Sequence, residues 1–142
     1  MASKTTYLCG GINGLSDSDC RDWREVAKSL LKTATLDPMR RDYRGKEDES
    51  VKEIVLGDLV DIQRSHFILV NATRPSWGTA MEVHDGASRG IPVIAWVGET
   101  TRVSPWLRFF CRELHATLEG AVASINQQVS QDTASVADRL TS

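Results

Sequence analysis

Residues 57–83 read GDLVDIQRSHFILVNATRPSWGTAMEV, and this stretch decides the fold class. Its centre, Phe67–Val70, is short, wholly apolar and β-prone, which is typical of a strand that is buried on both faces. Apolar residues at helical spacing precede this strand, and the turn-rich segment 72–78 separates it from a second helical pattern at 79–89. A helix, a buried strand and another helix in succession indicate an α/β protein.

The same alternation continues towards both ends of the chain. Apolar patterning predicts helices between the strands, a last helix to about residue 128, and four further strands near residues 5–9, 33–36, 91–97 and 114–116. This pattern predicts one five-stranded parallel sheet with helices on both faces and the strand order 2-1-3-4-5. In such a sheet the ligand crevice lies where the strand order reverses. The loops 10–14 and 72–78 are therefore expected to meet there.

Length and charge limit the domain organisation and the class of ligand. The chain has 142 residues, which is enough for one domain with a single core. We assign this domain to residues 1–128 and expect the polar segment 129–142 to be a frayed tail. The net charge of −2 leaves no basic surplus for holding a nucleic acid polymer, but it is compatible with a local site for a small anion.

Localisation and cofactor content are also predicted from what the sequence contains. No apolar run approaches the ~20 residues of a membrane span, and residues 1–6 lack the apolar core of a signal peptide. A cytoplasmic protein without membrane association is therefore expected. The three cysteines form no metal-ligand spacing, so we expect neither a metal site nor a cofactor.

Two carboxylates are the candidates for catalysis. Glu82 stands one turn into the helix that follows loop 72–78, near the positive end of the helix dipole. Asp58 shares a face of the preceding helix with Asp61, three residues further on. A carboxylate pair, one nucleophile and one acid or orienting group, is the minimum needed to cleave a glycosidic bond through a covalent intermediate. The alternative is that each is a solvated surface residue, and the sequence does not show whether Glu82 and Asp58 converge.

Three polar segments are candidates for binding a ligand. The segment RRDYR at 40–44 combines arginines, including Arg44, that can clamp phosphate with a tyrosine that can stack on a base. The glycine turn at 10–14 allows close approach of the backbone, and Ser76 with Gly78 offers a hydroxyl and N–H groups to an anion. A solvated loop and a simple helix cap remain the alternatives.

The combination of segments resembles a known family. YLCGGINGL at 7–15, the stretch at 57–83 and GIPVIAWVGE at 90–99 resemble the nucleoside 2-deoxyribosyltransferases, a family that includes the 2'-deoxynucleoside 5'-monophosphate N-glycosidases. LDPMRRDYRG at 36–45 is similar to the shorter, phage-type members. The resemblance implies a flavodoxin-like, Rossmann-like three-layer sandwich and a double-displacement mechanism. It also implies a small nucleoside or nucleotide as ligand, and a homodimer or larger homo-oligomer.

The resemblance also implies roles for individual residues. Glu82 matches the nucleophile that forms a glycosyl-enzyme ester, and Asp58 matches the residue that orients the sugar or helps to protonate the leaving base. The residues implied to line the sugar and its 5' end are Tyr7, Gly10, Gly11, Ile12, Asn13 and Gly14. Ser76 and Gly78 match positions that hold the 5'-phosphate. Asp42 and Tyr43 lie in the region that recognises the base. Asn71 ends the third strand where relatives carry an acid, and Asn13 stands where the hydrolases carry an arginine. Hydrolysis and base exchange therefore both remain open.

Two other functions stay open at this point. A non-catalytic module for a nucleotide or an ADP-ribose-type ligand would use the same glycine and serine loops without Glu82. A glycohydrolase that cleaves NAD would use similar carboxylate chemistry.

Overall fold

In residues 3–141, which the computed structural model describes, five parallel strands form one sheet in the order β2-β1-β3-β4-β5. The strands are β1 (Thr5–Gly10), β2 (Ala34–Leu36), β3 (Phe67–Asn71), β4 (Val93–Trp96) and β5 (Glu113–His115). The helices are α1 (Asp17–Leu30), α2 (Val51–Gln63), α3 (Trp77–Ser88), α4 (Pro105–Phe110) and α5 (Leu118–Thr141). The predicted fold class and strand order are confirmed: this is a flavodoxin-like α/β sandwich.

The strands are buried on both faces, as the apolar run in β3 predicts. Side chains alternate along β3, so that Phe67 and Leu69 pack with α1 and α5, whereas Ile68 and Val70 pack on the other face with α2 and α3. β1 follows the same rule. Leu8 faces α1 and α5, and its neighbours on either side face α3. This alternation decides which β1 side chains reach the site described below.

The register places the ends of three strands at one edge of the sheet. Gly10 pairs with Asn71, and Asn71 pairs with Trp96. Because parallel strands share their carboxyl edge, the segments that follow β1 and β3 lie side by side. The expected meeting of the loops 10–14 and 72–78 therefore has its structural basis in this register.

Several element ends differ from the sequence expectations. α3 begins at Trp77, two residues earlier than expected, because the Ser76 hydroxyl accepts a hydrogen bond from the Thr79 backbone N–H and caps the helix. The spacing of Ser50 and Glu53 is typical of a capping box at the start of α2, but the Ser50 side chain makes no capping hydrogen bond. The loop 38–50 contains two short 3-10 turns.

The last helix is longer than expected. α5 runs to Thr141 instead of ending near residue 128, so the expectation of a frayed tail is wrong for residues 129–141. This segment contains no glycine or proline that would end a helix. Its residues from Ser130 onward are exposed. The domain boundary at residue 128 stays a prediction. No helix among the described residues is both long and apolar enough to cross a bilayer.

Candidate active site

A cavity of ≈140 Å³ lies at the carboxyl edge of the sheet, and we call it the carboxylate cavity. It brings together residues from the glycine turn at 10–14, from the loop 38–50, which we call the charged loop, from α2 and from the start of α3. The lining residues are Gly10, Ile12, Asn13, Pro38, Arg41, Tyr43, Arg44, Ile54, Asp58, Ser76, Gly78, Thr79 and Glu82. Both candidate catalytic carboxylates therefore line one cavity, although they come from different helices.

Two side chains of β1 contact the carboxylate of Glu82. The Tyr7 hydroxyl donates a hydrogen bond to Oε2 of Glu82, and the Cys9 thiol lies 3.9 Å from Oε1. Tyr7 and Cys9 are two residues apart on the strand, so both point to the face that α3 covers. Both side chains are fully buried. The Glu82 side chain therefore projects from α3 into the cavity, and two side chains of β1 hold its carboxylate in position.

The surroundings of Glu82 favour its protonated form. Burial is the main cause, followed by the negative charge of Asp58, and together they raise the pKa of Glu82 to about 8. The Tyr7 hydrogen bond and the charge of Arg24 act in the opposite direction. Burial and the nearby Glu82 carboxylate raise the pKa of Tyr7 and of Cys9 well above their usual values, so both remain protonated hydrogen-bond donors. A carboxylate poised near neutral pH is typical of a catalytic group.

Asp58 is partly buried and bound to an arginine of the charged loop. Nη2 of Arg41 lies 3.1 Å from Oδ1 of Asp58 and 2.8 Å from Oδ2 of Asp61. Burial raises the pKa of Asp58, and the hydrogen bond and charge of Arg41 partly counteract that effect. A β-carbon on Gly57 would lie 3.1 Å from Nε of Arg41. The glycine therefore lets the guanidinium lie flat against α2 and hold Asp58 in place.

Sequence reasoning did not identify Arg24, which is 0% exposed. Its guanidinium donates to the backbone carbonyls of Leu8, Gly10 and Cys20 and lies 3.6 Å from the Asp37 carboxylate. These contacts tie the carboxyl end of β1 to α1. The sequence contained one signal for this role, because Arg24 stands on the apolar stripe of α1 where a solvated arginine would not be placed.

Thr79 was also missed. It lies three residues before Glu82 on α3, lines the carboxylate cavity, and is 5% exposed. Within the described part of the chain its hydroxyl has no hydrogen-bond partner. Buried hydroxyls are normally satisfied, so this one is an exception in the wall of the cavity. Pro38 and Ile54 add apolar surface to the cavity wall.

Some predicted binding residues lie outside the carboxylate cavity. Gly11 and Asn71 line an adjoining space instead. Gly14 is exposed and has a φ of 74°, which identifies it as a turn residue. Asp42 is exposed and accepts hydrogen bonds from Arg44, which are the main cause of lowering its pKa to about 2. Arg44 still lines the cavity, so Asp42 restrains an arginine of the wall.

Fold and site together define an α/β protein of flavodoxin-like fold with two carboxylates in a cavity at the carboxyl edge of its sheet. Neither a protein-family model nor a curated protein sequence matches the chain. Solved structures do match it in shape.

A conserved protein from Enterococcus faecalis V583 superposes with a TM-score of 0.70 and 17% identity, over 89% of this chain and 99% of that chain. The CMP N-glycosidase BcmB of Clostridium botulinum superposes with a TM-score of 0.55 and 13% identity, over 86% of this chain and 98% of that chain. At these identities the similarity establishes the shared fold. The functional argument therefore depends on the residues of the cavity.

Proposed function

We propose that the protein cleaves the N-glycosidic bond of a nucleoside or nucleoside 5'-monophosphate through a glycosyl ester on Glu82. The observation that carries the proposal is the convergence of Glu82 and Asp58 on one cavity, with Tyr7 hydrogen-bonded to Glu82. The fold that the chain shares with a CMP N-glycosidase supports the same reaction class.

In the first step a carboxylate oxygen of Glu82 bonds to C1' of the sugar while the C1'–N bond breaks. The electron pair of that bond moves to the base nitrogen, which then takes up a proton. Asp58 is suited to supply this proton or to orient the sugar, because burial raises its pKa. In the second step water adds to C1', loses a proton and releases the Glu82 carboxylate. A second base in place of water would give exchange instead of hydrolysis.

Glu82 must be ionised to attack. The free protein holds it with a pKa of about 8, and Tyr7 donates the hydrogen bond that stabilises the carboxylate form. Positive charge that develops on the sugar in the transition state also stabilises the carboxylate. A poorly solvated carboxylate is therefore activated by the charge that appears during bond cleavage.

The remaining wall of the cavity suits the other parts of the substrate. The N-terminus of α3 at Ser76–Gly78 suits a 5'-phosphate, because first-turn N–H groups lack intrahelical acceptors. Tyr43, Pro38 and Ile54 line the cavity with aromatic and apolar surface, which suits the base. The buried Thr79 hydroxyl, which has no hydrogen-bond partner within residues 3–141, suits the sugar or the phosphate.

The test is base release from a panel of nucleosides and nucleoside 5'-monophosphates, with and without an acceptor base, followed by chromatography. We expect Glu82→Gln to lower turnover of the best substrate by about 10³-fold or more, because the nucleophile is lost. Glu119→Gln, a change at an exposed glutamate of α5, is the matched control and should retain full activity. Mass spectrometry of the quenched wild-type protein should find the sugar ester on Glu82.

Wild-type rates in the Glu82→Gln protein would contradict the nucleophile assignment. Saturable binding without base release from any member of the panel would instead identify a non-catalytic nucleotide module.

A homo-oligomer is part of this proposal. Trp106 and Phe109 of α4 are 71% and 81% exposed in the single chain. Large exposed aromatic side chains are typical of protein interfaces, so α4 is the surface that best supports self-association.

A further inference from the structure

A second cavity adjoins the carboxylate cavity and takes no part in the chemistry proposed above. We call it the tryptophan cavity, because it is lined by Trp23, Trp77 and Trp96. Its volume is ≈620 Å³, against ≈140 Å³ for the carboxylate cavity. Small-molecule sites span roughly 300–1,000 Å³, so the carboxylate cavity alone is too small to enclose a nucleotide. The tryptophan cavity lies within that range.

The two cavities are continuous at the start of α3. Asn13, Ser76 and Gly78 line both of them. Ser76 and Gly78 place the N-terminus of this helix at the junction, and a helix N-terminus favours an anion. Arg74, on the loop just before the helix, lines the tryptophan cavity and lies 3.1 Å from the Asp19 carboxylate. A ligand that extends through both cavities would therefore place its middle part at the N-terminus of α3, which favours an anion.

The remaining walls of the tryptophan cavity suit a nucleobase. Trp77 is 91% exposed, whereas Trp23 and Trp96 contact each other with ring centroids 6.5 Å apart. Exposed tryptophan faces bind bases by stacking. Asp19 and Asp22 of α1 line the same space and offer carboxylate acceptors to an exocyclic amino group. Among the buried side-chain nitrogen and oxygen atoms of residues 3–141, the indole nitrogen of Trp23 is one of two without a hydrogen-bond partner.

We propose that the preferred substrate is a dinucleotide in which a 5'–5' diphosphate joins the cleaved nucleoside to a second nucleobase. The cleaved nucleoside occupies the carboxylate cavity, the diphosphate lies at the N-terminus of α3, and the second base stacks on Trp77. The inference rests on the proposed function for the identity of the scissile bond. The binding geometry that it predicts is testable without turnover.

NAD⁺ and nicotinamide mononucleotide are the probes, because they share the same nicotinamide nucleotide and differ only by the adenylate half. Both are titrated calorimetrically into the Glu82→Gln protein, which is expected not to cleave them. We expect the Kd of NAD⁺ to be about tenfold lower or more, as stacking of one base on an aromatic side chain provides this much.

Two further variants test which tryptophan is responsible for the lower Kd of NAD⁺. In Glu82→Gln/Trp77→Ala the Kd ratio between the two probes should fall to about one, because the stacking surface is removed. Glu82→Gln/Trp106→Ala is the matched control: Trp106 is 71% exposed but lies outside the tryptophan cavity, so the ratio should be retained.

Equal Kd values for the two probes, no saturable binding of either, or the same loss of ratio in both variants would overturn the inference. Its failure is separable from that of the proposed function. Base release from monophosphates together with equal Kd values refutes only the dinucleotide. A tenfold ratio without base release from any substrate refutes only the glycosidic chemistry.

Discussion

Asp58 and Arg41 form a unit in which the arginine determines how the carboxylate is presented to the cavity. One guanidinium nitrogen contacts both Asp58 and Asp61, and Asp61 is bound in turn by Arg40 at 2.8 Å. Asp61 is 3% exposed and does not line the cavity, so it anchors the arginine. Arg41 is therefore a positioning residue for Asp58, with its guanidinium seated against Gly57.

Replacing Arg41 with methionine should lower kcat by about 10- to 100-fold, because a catalytic carboxylate that moves by ~1 Å loses alignment with the substrate. It should also raise the pKa of Asp58 further, since a lowering influence is removed. If Asp58 protonates the base, the alkaline limb of the kcat profile shifts to higher pH. Steady-state kinetics across pH on the best substrate measures both effects.

Arg40→Met is the matched control for this prediction. It removes a second arginine from the same Asp61 carboxylate but leaves Asp58 and the cavity wall intact. Equal losses in the two variants, without a shift in the pH profile, would mean that Arg41 only stabilises the fold.

At the scale of elements, the strongly patterned segments could be predicted and the weakly patterned ones could not. β3 is apolar and buried on both faces from Phe67 to Val70, so its neighbours and the strand order followed from general rules. The extension of α5 to Thr141 was missed because its exposed polar residues lack a buried stripe. The helix propensity of its residues and the absence of a helix breaker explain why this segment is helical.

The candidate site shows the same division. Glu82 could be selected from its position one turn after loop 72–78, and Asp58 from its shared helix face with Asp61 and from the family resemblance. Both line one cavity in the structure. Arg24 could have been found from its place on the apolar stripe of α1, but the backbone carbonyls that it binds could not be predicted from spacing. The position of Thr79 in the cavity wall depends on which side of α3 meets the sheet, and spacing alone does not give that. The sequence also gave no sign of the Arg41 contact, since Arg41 and Asp58 lie on separate segments.

The packing of α3 on β3 positions Glu82 along the sheet. Gly86 lies one turn beyond Glu82, and a β-carbon there would come within 2.0 Å of Cδ1 of Ile68, which is fully buried. Gly86→Ala should therefore destabilise the protein by about 1–3 kcal/mol through overpacking, and it should also lower activity by displacing α3. Urea unfolding followed by circular dichroism measures the first effect, and base release measures the second.

Gly78→Ala is the stability control for Gly86→Ala, because it makes the same change in the same helix where no atom lies within 4 Å of the added β-carbon. There the better helix propensity of alanine should stabilise by about 0.5–1 kcal/mol. Similar stabilisation at Gly86 would show that α3 is free to move away from β3.

Across the whole molecule, the burial that builds the site also couples folding to protonation. Glu82 has a usual pKa of 4.5 when solvated and a pKa of about 8 in the folded chain. Between these two values the folded protein holds a proton that the unfolded chain has released. Stability from this group is therefore fully present below about pH 4.5 and is lost as pH rises towards 8.

The free energy of unfolding of the wild type should therefore fall between pH 5 and 8 relative to that of Glu82→Gln, by up to about 1.4 kcal/mol per pH unit. Glutamine keeps the shape of the protonated acid and cannot ionise, so the variant should be the more stable protein at pH 8. Urea unfolding of both proteins at pH 5, 6, 7 and 8 gives the difference, and Glu119→Gln should follow the wild type. Parallel curves for wild type and Glu82→Gln would mean that the carboxylate is already ionised in the folded chain at pH 5. The nucleophile would then need no activation, and the burial of Glu82 would have to be explained by something other than its chemistry.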